Sequence, residues 1–321
     1  MATVVSESDR ALPARGRGIG VVWRLTRSTL ANAWRDRVLG LAAEAGFWQL
    51  ISLPSMLLGI VGIIGFFSGS LGHDTVHDIE DAILRGARHV IVPDAVDSTV
   101  KPALDRILAG GRADVVSISF IVSLWTGSSA MATYVNTITI AYGLRHHRNA
   151  VSSRILALAL YIGFVAVGVV LLPLLVLGPS LIVRLTPETW HHAMHIIVSI
   201  GYWPVVILIS LALLASLYHL SVPVRTPWRR ALPGALLGLI VWVAGSIVLR
   251  IWLVWAFRST ATYGPLSAPV AVLVFLYLTA LAILLGAELN AEIDRLWPLR
   301  ATEEARREEK QQAAASTTTS T

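Results

Sequence analysis

The chain has 321 residues, of which 55% are hydrophobic and only 14% charged, where a soluble domain carries about 25% charged residues. So few charges cannot clothe a water-facing surface, which excludes an ordinary soluble globular protein, and the absence of cysteine excludes disulfides, thiolate catalysis and cysteine-ligated metal centres. The net charge of +6 sits on basic residues beside apolar runs, where it orients a membrane protein and gives no reason to invoke nucleic acid.

Residues 1–41 form a basic arm with seven arginines and no apolar core for a cleavable leader. Within it, residues 24–38 read as an amphipathic helix, with Trp23 and Trp34 placed for a membrane surface or for solvent. The first apolar span covers about residues 42–69, with Glu44 its only ionisable residue. Residues 70–113 turn polar, with seven acids, and predict short amphipathic helices in a first outer loop.

The second span, about 115–141, is threaded by hydroxyl and small residues. Ser119, Ser123, Thr126, Ala130, Thr133 and Thr137 recur at spacings of three and four, so they form one helical stripe expected to face other helices. Four more apolar spans follow at about 155–177, 196–218, 231–257 and 266–289, and residues 296–321 form a polar tail expected to hold a helical turn or two and then lose order.

The fold class is therefore all-α: a polytopic integral membrane protein with six transmembrane helices. Six spans put 18 Lys and Arg residues inside and seven outside, with Arg250 within a span, so both termini are expected in the cytoplasm. Proline stands in or beside every span except the second, at Pro54, Pro173, Pro204, Pro233 and Pro269. Broken helices line many transporter sites, but proline is common in membrane helices generally.

Charged groups inside a membrane cost about 2.5–3.5 kcal/mol each on insertion scales, which singles out Glu44, Arg250 and Glu288. Arg250 is placed to pair with a carboxylate, to hold an anionic headgroup or to snorkel beside Trp252 and Trp255. Glu288, Asn290 and Glu292 close the last span on the level of Glu44. Such a cluster suits gating, cation binding or proton relay; the plainer reading pairs the carboxylates with Arg35, Arg37 or Arg295.

The pairs His73 with His77 and His191 with His195 have helical spacing but no third ligand, so no metal site and no cofactor are expected. Phosphate loops, dinucleotide fingerprints and nucleophile elbows are absent, and the chain is not expected to be an enzyme. Gly234 and Gly238 form a small-xxx-small pair that suits either packing within the monomer or a homo-oligomer.

Three segments carry a resemblance: LAAEAGFWQLISLPSMLLGIVGIIG from Leu41, WTGSSAMATYVNTITIAYG from Trp125, which contains Asn136, and the stretch from Tyr263 to the closing LLGAELNAEIDR. Together they resemble the YihY/virulence factor BrkB family over about residues 20–298. The resemblance implies a bacterial cytoplasmic-membrane protein with lipids as its immediate partners. Some members of that family have carried the label ribonuclease BN, for which this chain lacks a clustered His and Asp ligand set. The function expected is transport or flipping of an amphipathic or anionic envelope component, using the stripe Ser119, Ser123, Thr126, Thr133 with Asn136, together with Arg250 and the Glu44, Glu288, Asn290 and Glu292 region. The alternative is a scaffold or envelope-assembly factor that moves nothing.

Overall fold

An apolar run that leaves water must satisfy its own peptide groups, and the helix does this within one segment. The computed structural model describes residues 18–71, 84, 113–145, 147–185, 191–259 and 264–319, and in them every regular element is helical. The helices are α1 (Gly18–Arg35), α2 (Val38–Leu71), α3 (Ala113–Ala141), α4 (Ala150–Leu185), α5 (His191–Ser221), α6 (Leu232–Ser259), α7 (Gly264–Leu296) and α8 (Arg300–Thr319). A short 3-10 turn, Trp228–Ala231, leads into α6.

Each of the six apolar runs lies within one of the helices α2 to α7. Among the described residues four segments are long and apolar enough to cross a membrane: Ala150–Val169, Gly201–Ser221, Trp228–Val254 and Pro269–Leu296. Pro54 and Pro204 stand within helices, whereas Pro233 occupies the first turn of α6, where its missing N–H leaves no bond unmade. The expected helices of the first outer loop fall outside the described residues, as do His73 and His77.

Helix α7 is central, packing against α6, α2, α1 and α3, while α3 also packs on α2 and α4, and α5 bridges α4 and α6. Small residues set these approaches. Ala42 and Ala45 of α2 are fully buried in one cluster with Ala280 and Leu284 of α7, and a Cβ on Gly46 would lie 3.1 Å from the Tyr277 backbone nitrogen. Gly234 and Gly238 both face α7: a Cβ on Gly234 would overlap the Gly286 carbonyl and Asn290, and one on Gly238 would lie 3.1 Å from the Ala282 carbonyl. The small-xxx-small pair thus serves packing within the monomer.

Helix α1 exists as expected, beginning earlier, at Gly18. It buries Thr29 and Ala33 against the bundle and leaves Trp23 and Trp34 exposed. Between α1 and α2 the chain turns through Arg37 in the left-handed region, at φ 56°. The polar tail departs from expectation, because α8 runs for 20 residues. Its first turns are not free: Thr302 and Ala305 are buried, and Arg306 holds Asp294 at 2.8 Å and the Tyr142 carbonyl at 2.8 Å. An Arg307 to Glu303 pair at 2.7 Å supports the helix one turn further.

Candidate functional site

The helices leave a cavity of about 430 Å³, open to the surface of the bundle beside the exposed Trp242 and Phe275, where α2, α3, α4, α6 and α7 meet. Its apolar walls include Leu53, Met56, Met131 and Phe275, and its polar groups are Gln49, Ser52, Tyr134, Tyr161, Trp242 and Thr279. These positions lie near the middle of their helices: Gln49 to Met56 stand 11 to 18 residues beyond the start of α2, a rise of roughly 16–27 Å at 1.5 Å per residue.

The polar groups are tied to one another across helices. Gln49 Nε2 donates to the Tyr134 hydroxyl at 2.5 Å, Tyr161 shares a hydrogen bond with Ser123 at 2.8 Å, and Trp242 Nε1 donates to Thr279 at 3.1 Å. Gln49 Oε1 is buried with no hydrogen-bond partner among the described residues. The Tyr161 ring occupies the space that a side chain at Gly127 would fill, so that glycine makes room for the hydroxyl to reach the wall. Among the described residues the lining carries no charged side chain.

The stripe on α3 faces other helices, as expected. Ser123, Thr126, Ala130, Thr133 and Thr137 are all buried, while the side chain of Ser119 lies outside the described residues. Two of its hydroxyls are spent locally, Thr126 and Thr137 donating to the carbonyl four residues earlier at 2.8 and 2.7 Å, while the single Thr133 hydrogen is shared between Glu44 at 3.0 Å and the Ser129 carbonyl at 3.2 Å. Only Ala130 of the stripe borders the cavity.

At the end of α7 the closing motif acts chiefly as a fastener. Asn290 Oδ1 accepts the Gly234 N–H at 2.8 Å and its Nδ2 donates to the Ala231 carbonyl at 3.1 Å, which caps the start of α6. Glu292 accepts from Asn32 of α1 and pairs with Arg295, and Arg295 Nη2 donates to the Ala141 carbonyl at 2.7 Å. Asp294 gathers Arg306, Thr302 and, at 3.9 Å, Arg230. Beside them burial, with Asp294 adding to it, pushes the Tyr142 hydroxyl well above its ordinary range. Both α1 and α8 are therefore pinned to the same end of the bundle.

Glu288 differs from its neighbours. It is 0% exposed, and neither carboxylate oxygen has a hydrogen-bond partner among the described residues. Glu44 stands apart from it: Ala42 and Ala45 face α7, whereas Glu44 is exposed and accepts a hydrogen bond from Thr133 at 3.0 Å. Arg250 is exposed on α6, has no carboxylate partner among the described residues and is absent from the cavity wall. It lies eight residues beyond Trp242, about 12 Å along the helix.

The residues singled out in the sequence thus do not converge on one site. Gln49, Ser52, Tyr134, Tyr161, Trp242 and Thr279 were not singled out, although Gln49 and Ser52 are polar residues three apart in an apolar run, a readable sign of a shared helix face. Among the described residues no three His, Cys, Asp or Glu side chains gather to hold a metal. The side chains of His191, His192 and His195 at the start of α5 are outside the described residues.

Among proteins of known sequence, the ribonuclease-like protein YfkH of Bacillus subtilis (strain 168) is 25% identical over 257 residues, covering 79% of this chain and 89% of that protein. No solved structure matches the chain. The family model for Virulence factor BrkB matches residues 29–313, from the middle of α1 through most of α8. The span of that match includes both the cavity and the α7 fastener, and the chain belongs to the Virulence factor BrkB family.

Proposed function

We propose that this protein crosses the bacterial cytoplasmic membrane six times, with both termini in the cytoplasm, and moves or flips an amphipathic envelope molecule through the cavity between α2, α3, α4, α6 and α7. The observation that carries this reading is the cavity itself: about 430 Å³, apolar, at mid-helix, with a small set of uncharged polar groups from several helices. Binding sites for small amphipathic molecules have this make-up, with apolar walls giving affinity and a few fixed polar groups giving orientation. The lack of charge among the described wall residues favours an amphipathic molecule over a small anion, and Arg250 is not among them.

Two facts support the topology. The lengths of α2 and α3, 34 and 29 residues, exceed the roughly 20 needed to cross hydrocarbon. The attachment of α1 and α8 to one end of α7 keeps the described terminal helices on one side.

A scaffold without transport activity is the second reading, favoured by the burial of the α3 stripe and its bonds to its own helix. Liposomes reconstituted with the protein and a fluorescent phospholipid separate the two. Transbilayer movement above empty vesicles is expected for the wild type and is lost in Leu53→Trp, which fills the cavity; no movement in either supports the scaffold.

We also propose that the chain is not a ribonuclease. The buried acids Glu292 and Asp294 are engaged in holding α1 and α8, and among the described residues no acid lines the cavity. Purified protein incubated with RNA and Mg²⁺ or Mn²⁺ is expected to leave it intact; cleavage lost in Asp294→Asn would overturn the statement.

A further inference from the structure

One face of α3 is turned away from the cavity. Trp125, Ser129, Ala132 and Asn136 share it, since they recur at spacings of four, three and four, and Thr133 borders it, four residues beyond Ser129. Trp125 is 65% exposed and Asn136 is exposed as well, so part of this face has no helix over it. From one flank Arg154 of α4 lays its guanidinium across the face. Its Nη2 donates to the Trp125 carbonyl at 3.3 Å and to Ser129 Oγ at 3.1 Å, and its Cζ lies 4.8 Å from the Trp125 ring centroid. From the other flank Glu44 of α2 accepts from Thr133 at 3.0 Å.

A cation and an anion thus clasp the same helix face at Ser129 and Thr133, one turn apart, about 6 Å along the axis. They do not form an ion pair with each other. Among the described residues the Arg154 Nε and Nη1 hydrogens and Glu44 Oε2 take no hydrogen bond. Arg154 stands four residues beyond the start of α4, inside the apolar segment Ala150–Val169, where a guanidinium without a counter-charge is disfavoured.

The occupant that offers both charges at the edge of hydrocarbon is a lipid. A forked guanidinium matches phosphate oxygens, the carboxylate matches an ammonium, and Arg154 and Glu44 stand four and six residues beyond the starts of α4 and α2, near one end of the bundle. We propose that this face of α3 seats the headgroup of a zwitterionic phospholipid, with its phosphate on Arg154 and its ammonium on Glu44. The site is separate from the cavity and does not rest on transport.

The test is lipid retention by the full-length protein in native mass spectrometry, titrated with phosphatidylethanolamine and with phosphatidylglycerol, which has the phosphate but no ammonium. The wild type is expected to retain phosphatidylethanolamine more tightly. Arg154→Gln weakens both lipids about tenfold, the equivalent of one charge-assisted contact. Glu44→Gln weakens phosphatidylethanolamine alone.

Equal retention of both lipids by the wild type, or a preference for phosphatidylglycerol, would overturn the proposal, as would variants that match the wild type. A variant that changes oligomeric state with lipid retention intact would assign the face to a second protein. Should Arg154→Gln fail to fold, Arg154→Lys and the comparison of the two lipids on the wild type still decide.

Discussion

Asn290→Leu is expected to lower the melting temperature of the purified protein sharply, although leucine has nearly the same size and is more apolar. The side chain is 1% exposed and closes two bonds at the start of α6, one to the Gly234 N–H and one to the Ala231 carbonyl. A helix start leaves its first N–H groups without partners in its own ladder, and here the cap arrives from a neighbouring helix. Leucine leaves the Gly234 N–H buried without its partner, at about 1–3 kcal/mol, and removes the second bond to the Ala231 carbonyl, which keeps its place in the helix ladder.

Gly234 and Gly286 bring the α6 and α7 backbones into contact, so the two helices have little freedom to separate around an apolar side chain. A melting curve in detergent, with yield of folded protein as a second reading, checks this. An unchanged midpoint would show that the α6 start is held by other means.

Glu288→Met is expected to act in the opposite direction two residues away. A sealed carboxyl group whose oxygens find no donor among the described residues is a standing cost. Burying a polar group without a hydrogen-bond partner costs about 1–3 kcal/mol, which an apolar residue of similar volume does not incur. The melting temperature should therefore rise, whereas Glu288→Gln, which keeps polar atoms in the same place, should give little gain.

If lipid movement in liposomes falls as stability rises, Glu288 is held in place for use, as strained or unsatisfied groups at working sites are. A fall in melting temperature for Glu288→Met would instead show that the carboxyl makes a stabilising contact.

These two residues illustrate how far the sequence could be read. The positions of the six apolar helices followed from composition, because a run of about 20 apolar residues leaves the backbone one economical choice. The α3 stripe followed from periodicity, and it is buried. Function within the closing motif did not follow. Glu288, Asn290 and Glu292 share a short segment, yet one is orphaned, one caps α6 and one ties α1 to Arg295. Which role each takes depends on what α1, α6 and α8 bring to it, and spacing along α7 carries no record of that.

The cavity was less legible still. Its polar groups come singly from several helices, and no one helix shows more than Gln49 and Ser52 together. Arg154 was counted only as a cytoplasmic charge, since its reach to Trp125 depends on how α4 packs on α3. The tail was underestimated because Ala, Ser and Thr have no apolar stripe to announce a helix, whereas its docking on Asp294 and Tyr142 is a tertiary fact.

The cavity between α2, α3, α4, α6 and α7 is best tested by photo-crosslinking in proteoliposomes, using a phospholipid with a diazirine in its acyl chain and mass spectrometry to place the adducts. Adducts on Met56 and Met131, which line the cavity, are predicted, and they should disappear in Leu53→Trp. Adducts confined to outward residues such as Trp203 and Ile207, unchanged in that variant, would contradict it.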